Sequence, residues 1–205
     1  SVQVRFDKTG DTIALFAPSC KMTPGPWLEK VKSAYRQNGY AIKIVGPMFE
    51  DDRGVSSAGS PEKRLHALTQ ALRNPNIAAV QCVGGAKFGV DLLRLMKTDS
   101  AFVTTVQGLK KQKRIKPIIG YSDNTLLSNQ LWYTYGIPSI HGPMGNEYKN
   151  FSTDNQVRQN FFAMKKLLAN PKEREPVLPG MESAVVINPG VARGTLVGGN
   201  LSRFS

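Results

Sequence analysis

At 205 residues the chain has room for one domain with a sizeable core, or for one domain and the beginning of another. With 40% hydrophobic residues, no apolar run near the roughly 18 residues that cross a bilayer, and an opening Ser1-Val2-Gln3-Val4-Arg5 without a secretion signal's apolar core, it reads as a globular chain that does not span a membrane. A net charge of +12, from 27 Lys and Arg against 15 Asp and Glu, favours anionic surroundings, while two cysteines without C-x-x-C spacing give no sign of a zinc site or a disulfide framework.

In chain order, Thr12 to Ala17 is the first strand expected, followed by a helix that starts at Thr23-Pro24, runs through Trp27, Val31 and Tyr35 and ends at Asn38-Gly39. Cys20, between the two, and Cys82 are expected as buried or half-buried free thiols, which fits a reducing compartment. Ala41 to Val45 is the next strand and Asp51 to Gly59 a loop. Ser60-Pro61-Glu62-Lys63 opens a helix with a capping serine and proline at the first helical position, and Leu65, Leu68 and Leu72 mark its apolar face. Ile77 to Val83 is a strong strand ending in Gly84-Gly85, and Val90, Leu92, Leu93 and Met96 belong to a short helix after it.

Lys110-Lys111-Gln112-Lys113-Arg114-Ile115-Lys116 is the densest basic block, with Lys165-Lys166 and Lys172-Glu173-Arg174 adding to the charge. No aromatic residue interleaves with it to stack a base, so it reads as a solvated loop before the next strand, and nucleic acid is not an expected partner. That strand, Pro117 to Ile119, leads through Gly120 to Ser122 and a helix carrying Leu126, Leu127, Leu131 and Trp132, which Gly136 stops. Pro138 to Ile140 then enters His141-Gly142-Pro143. The strict alternation of strand and helix predicts a Rossmann-like α/β fold, a parallel sheet with helices on both faces and function at the carboxyl ends of its strands.

Ile118-Ile119-Gly120-Tyr121-Ser122-Asp123-Asn124-Thr125 is the most informative stretch. A strand that passes through glycine to serine and directly into a helix lifts the hydroxyl above the sheet edge and offers helix N-terminal amides to a developing oxyanion. The pattern is G-x-S-x-N, so taken alone Ser122 reads more readily as a simple helix cap than as a nucleophile. Gly84-Gly85 fits neither G-x-G-x-x-G nor the phosphate-binding P-loop, and reads either as a plain tight turn or as the source of an oxyanion-hole amide. His66 is expected at the surface of its helix, and His141 in a turn with its imidazole bonded to backbone or, less simply, as a base.

Arg64-Leu65-His66-Ala67-Leu68, Ala71-Leu72-Arg73-Asn74-Pro75-Asn76-Ile77, Gly84-Gly85, Gly120-Tyr121-Ser122-Asp123, His141-Gly142-Pro143 and Arg193-Gly194-Thr195-Leu196-Val197-Gly198-Gly199-Asn200-Leu201 follow one another as in LD-carboxypeptidases. The chain thus resembles, over nearly its whole length, the serine-peptidase family of murein tetrapeptide carboxypeptidases and microcin C immunity proteins. The resemblance implies a Ser-His-Glu triad with Ser122 as nucleophile, an oxyanion hole from the amides of Gly85 and Asp123, no metal or organic cofactor, a cytoplasmic homodimer acting on a murein peptide, and no membrane partner. A periplasmic place would follow if a signal had been removed.

It also implies that the glutamate and histidine belong to a C-terminal domain. Residues 1–170 are then the nucleophile-bearing domain and 171–205 a linker and the first segment of the next, which leaves this stretch alone inactive. Where the family has Gly-Gly-Tyr-Gly, this chain has Gly84-Gly85-Ala86-Lys87-Phe88-Gly89, one residue longer and without the tyrosine, so its substrate pocket is expected to differ in shape. Three functions stay open: a carboxypeptidase that releases the terminal D-alanine of murein tetrapeptides, an immunity-type hydrolase of a peptidyl-nucleotide amide, and a non-catalytic basic α/β binding domain.

Overall fold

The computed structural model describes residues 10–170, 185–191 and 193–203; Lys172-Glu173-Arg174 and the start of the expected linker lie outside them. Five parallel strands form the sheet in the order β2-β1-β3-β4-β5: β1 Thr12–Phe16, β2 Ala41–Val45, β3 Ile77–Cys82, β4 Ile118–Gly120 and β5 Ile140–His141. The central strands β1 and β3 are apolar almost throughout because both their faces are covered, whereas the edge strand β2 is partly exposed.

Right-handed crossovers place the helices on both sides. The chain moves outward from β1 to β2 through α1 (Trp27–Gln37) and back across to β3 through α2 (Pro61–Arg73), so these two helices lie on opposite faces. On the α1 side, a 3-10 turn at Gly145–Asn150 and α6 (Asn155–Ala169) complete the layer, welded by edge-to-face contacts of Tyr35, Tyr148 and Phe161 at centroid distances of 5.7, 5.0 and 4.9 Å. On the other, α2 packs against α3 (Val90–Thr98) and α4 (Ser100–Lys111), and α3 against α5 (Asn124–Tyr135).

The differences from expectation have local causes. The first helix begins at Trp27, after Thr23-Pro24, because Pro24-Gly25-Pro26 supplies few amide donors and Trp27 Nε1 ties back to the Thr23 carbonyl at 2.8 Å. The solvated-loop reading of the basic block holds at exposed Gln112 and Lys113 and is corrected at the two ends of the block. Lys110 and Lys111 close α4, where cations complement the helix dipole, and Lys110 Nζ donates to the Tyr135 carbonyl at 2.7 Å. Lys116 is buried and donates to the Asn74 carbonyl. Both cysteines are free thiols, Cys82 buried and Cys20 half-buried. No helix among the described residues is long and apolar enough to cross a membrane.

Strand order reverses between β1 and β3, so the loops after β1, β3, β4 and β5 converge on one carboxyl edge, where open α/β sheets form their crevice.

Candidate active site

The turn after β4 is built around Gly120. Its φ of +155° suits only glycine, and a Cβ there would stand 2.9 Å from Met144 Sδ, 3.0 Å from Asn124 Nδ2 and 3.1 Å from Cys82 Cβ. Beneath the turn, buried Asn124 accepts from Cys82 Sγ at 3.1 Å and donates to Ser128 Oγ at 3.3 Å. Burial pushes the Cys82 thiol far above its ordinary range, so it is a packing group and not a nucleophile.

Ser122 carries a φ of +57°, the left-handed region that costs an L-residue roughly 1–2 kcal/mol. The helix-cap reading does not describe it. The N-cap of α5 is Asp123, and no side chain caps that helix. Half-buried Ser122 instead stands at the sheet edge facing Gly85, where a Cβ would lie 3.5 Å from Ser122 Oγ.

The Gly84–Gly89 loop is held from several sides. Gly84, at φ +68°, passes so close to Met22 and Cys20 that a Cβ would meet Sδ at 2.8 Å and Sγ at 3.2 Å. Its amide donates to Asn146 Oδ1 at 3.0 Å, and the Gly85 carbonyl accepts the Cys20 amide at 3.1 Å. Asp123 links loop and turn: its buried carboxylate accepts the Gly89 amide on Oδ2 at 2.7 Å, at the N-terminus of α3, where an anion is favoured.

Two supports were not among the expected site residues. Arg64 is wholly buried, donating from Nη1 to the carbonyls of Pro18 at 2.5 Å and Phe88 at 3.0 Å and from Nη2 to Asp91 Oδ2 at 3.4 Å, so it clamps the loop after β1 to the loop after β3. Desolvation lowers its affinity for the proton and Asp91 opposes that. Gln81, buried mid-sheet, accepts from Tyr35 Oη at 2.7 Å and donates to the Pro143 carbonyl at 2.9 Å, anchoring the loop after β5. A polar residue within an apolar strand was the signal available for Gln81, and a cationic position among the buried ones of α2 for Arg64.

The histidines fall apart. His66 is exposed on α2 and lines a groove of about 1010 Å³ along β2, two strands away from β3 and Gly85. His141, opposite Gly120 in register, is exposed and meets the Tyr121 ring edge-to-face at 6.4 Å. Glu147 beside Tyr121 raises that phenol above its ordinary value. Among the described residues neither histidine bonds to Ser122, and no group of three or more His, Cys, Asp or Glu could hold a metal ion.

This is a doubly wound α/β domain with a strained serine at a strand-to-helix turn beside a glycine-rich loop. The sequence profile of the LD-carboxypeptidase N-terminal domain (Peptidase_S66) matches residues 13–142. The chain belongs to the LD-carboxypeptidase family. It is 30% identical to the murein tetrapeptide carboxypeptidase of Pseudomonas aeruginosa over 205 residues, covering 94% of this chain and 59% of that protein. Among solved structures, the MccF-like protein of Bacillus anthracis superposes with a TM-score of 0.65 at 22% identity, over 78% of this chain and 45% of that one. The microcin C7 self-immunity protein MccF in complex with aspartyl sulfamoyl adenosine superposes at 0.64 and 21%, over 78% and 44%. These two likenesses bear on the fold, and the chain spans 55 to 61% of the length of curated relatives it matches.

Proposed function

We propose that the whole protein is a serine carboxypeptidase that cleaves an L-to-D amide bond and releases the terminal D-alanine of murein tetrapeptides. The observation that carries this reading is Ser122, held at φ +57° at the carboxyl edge with Gly85 facing its hydroxyl. Ser122 Oγ attacks the scissile carbonyl carbon, its proton passes to a base, and the carbonyl oxygen becomes an oxyanion received by the Gly85 and Asp123 amides. Collapse breaks the C–N bond, the D-alanine amine leaves with the proton, and water hydrolyses the acyl-enzyme to a carboxylate and free serine.

A serine with no positioned base is a weak nucleophile at neutral pH. Family resemblance assigns the base to a histidine oriented by a glutamate, both in the part of the relatives that this chain does not span. The segment ending at Arg203 is accordingly read as the start of that second domain. A cytoplasmic role in peptidoglycan recycling and a homodimeric assembly go with this reading.

The test is D-alanine release from a murein tetrapeptide by the full-length protein, with fluorophosphonate labelling to locate the nucleophile. Labelling at Ser122 and loss of release in Ser122→Ala are expected; release undiminished in that variant overturns the assignment. The immunity-type reading draws on the MccF complex with aspartyl sulfamoyl adenosine. It predicts faster cleavage of an aminoacyl sulfamoyl nucleoside than of the tetrapeptide, a direct comparison in one assay.

A further inference from the structure

The segment that returns to the carboxyl edge near the end of the chain does more than pass by. From 185 to 203 every described residue is exposed except Asn200 and Arg203. The side chains of both reach the site. Asn200 Oδ1 accepts the Ser122 amide at 2.9 Å, while its backbone N–H donates to Thr125 Oγ1 at 3.1 Å. Gly199, at φ +148°, lies so close to the first turn of α5 that a Cβ would fall 2.2 Å from Thr125 Cγ2. Three residues after Asn200, as the last residue of the short 3-10 turn Leu201–Arg203, Arg203 donates from Nη2 to the Ala86 carbonyl at 2.9 Å and sets Nε 3.6 Å from Asp123 Oδ1.

That last contact answers a deficit. The Asp123 side chain is wholly buried, and its Oδ1 accepts no hydrogen bond among the described residues, so a guanidinium is the group that offsets the desolvated charge. The same guanidinium grips Ala86, the neighbour of Gly85, and Asp123, the neighbour of Ser122. Asp123 in turn holds Gly89 at the far end of the loop.

Resting on the serine-hydrolase reading above, we propose that Asn200 and Arg203 are positioning residues: together they strap the elbow to the glycine loop and set the spacing between the Ser122 hydroxyl and the two amides of the oxyanion hole. Neither touches the reacting atoms. Asn200 acts through the Ser122 amide and Arg203 through Asp123 and Ala86. A lysine at 203 supplies the charge from a single nitrogen and lacks the guanidinium's rigid fork that reaches Ala86 and Asp123 from separate nitrogens, so it restores part of the function.

The experiment uses the full-length protein with Asn200→Ala, Arg203→Ala and Arg203→Lys. It reads kcat and KM for a murein tetrapeptide, affinity for a peptide boronate whose tetrahedral oxyanion fills the hole, active-site titre and melting temperature. Positioning predicts a loss in kcat of about 10- to 100-fold for Arg203→Ala with KM within about twofold, boronate binding weakened in parallel, and partial recovery in Arg203→Lys. A parent that neither cleaves the peptide nor takes the boronate on Ser122 overturns the hydrolase reading itself. An active parent whose variants keep kcat per titrated site and boronate affinity within about twofold overturns the strap alone, whatever their melting temperatures. If Arg203→Ala does not fold, Arg203→Lys carries the same comparison.

Discussion

Asp123 Oδ2 accepts the Gly89 amide at 2.7 Å, a single hydrogen bond that joins the turn after β4 to the loop after β3 at the mouth of the sheet. Gly85 and Ser122 each lie within a few positions of one end of that bond. A carboxylate there is desolvated, compensated by the amides at the start of α3 on one side and by Arg203 on the other.

Gly89→Ala tests the fit. A Cβ would stand 2.6 Å from Asp123 Oδ2, so the carboxylate must move off the helix terminus. The expected cost is about 1–3 kcal/mol of unfolding free energy, read from urea melts. An unchanged midpoint and slope would show that the bond is dispensable.

Ser122→Gly separates strain from chemistry. Glycine relieves the φ +57° backbone but loosens the unfolded chain, so the balance is stability equal to the parent or higher by about 1 kcal/mol. Turnover should fall by several orders of magnitude in the same protein. A variant clearly less stable than Ser122→Ala would argue against stored strain at this position.

Arg64→Met removes the clamp between the loops after β1 and β3. Three acceptors, the Pro18 and Phe88 carbonyls and Asp91, lose a donor, the first in a buried setting and the other two half-buried. About 3 kcal/mol of destabilisation is expected, with activity falling faster than stability because Gly85 shares that loop. Thermal melts and turnover measured together decide it.

Tyr35→Phe strips the hydroxyl from a bond to the buried Gln81 Oε1. The orphaned amide oxygen should cost about 1–3 kcal/mol. Tyr35→Phe combined with Gln81→Leu should not be additive, since the second change removes the group left unpaired by the first, and a double-mutant cycle in urea measures that coupling.

Alkaline pH should unfold the domain early. Burial raises the Cys82 thiol and the Tyr35 and Tyr148 phenols above their ordinary values of 9.0 and 10.0, so the folded state holds protons the unfolded chain releases. Their neutral forms stabilise the fold fully below pH 9, and that contribution is lost as pH rises from there, each group adding a slope of about 1.4 kcal/mol per pH unit. Cys82→Ala should delay the onset to nearer pH 10, where the tyrosines begin. A stability curve flat to pH 11 in the parent would contradict the burial argument.

Much of this protein is legible in its sequence because the signals are local. Contiguous apolar runs marked all five strands, the last expected at Pro138 to Ile140 and found at Ile140–His141, period-3.6 patterns marked α2, α3 and α5, and Ser60 caps α2 by accepting the Lys63 amide at 3.2 Å as its type predicts. Gly120, Ser122 and Gly85 could be picked out because a tight strand-to-helix turn and a glycine pair are written in neighbouring residues. Helices α4 and α6 escaped although both are capped, Asp99 accepting the Phe102 amide at 2.8 Å and Asp154 the Gln156 and Val157 amides at 2.8 and 3.2 Å.

What tertiary structure alone decided is the set of bonds between distant segments. Arg64 sits on a predicted helix yet is buried, because carbonyls from two loops far along the chain converge on it. Lys116, read from a charge run as solvated, is enclosed because the Asn74 carbonyl lies within reach. Nor does any local pattern show that Asn200 would hold the Ser122 amide, or Arg203 the Asp123 carboxylate. Local propensity reports the conformation a segment prefers, while the partners of a buried polar group are supplied by packing, which brings together residues that sequence keeps apart.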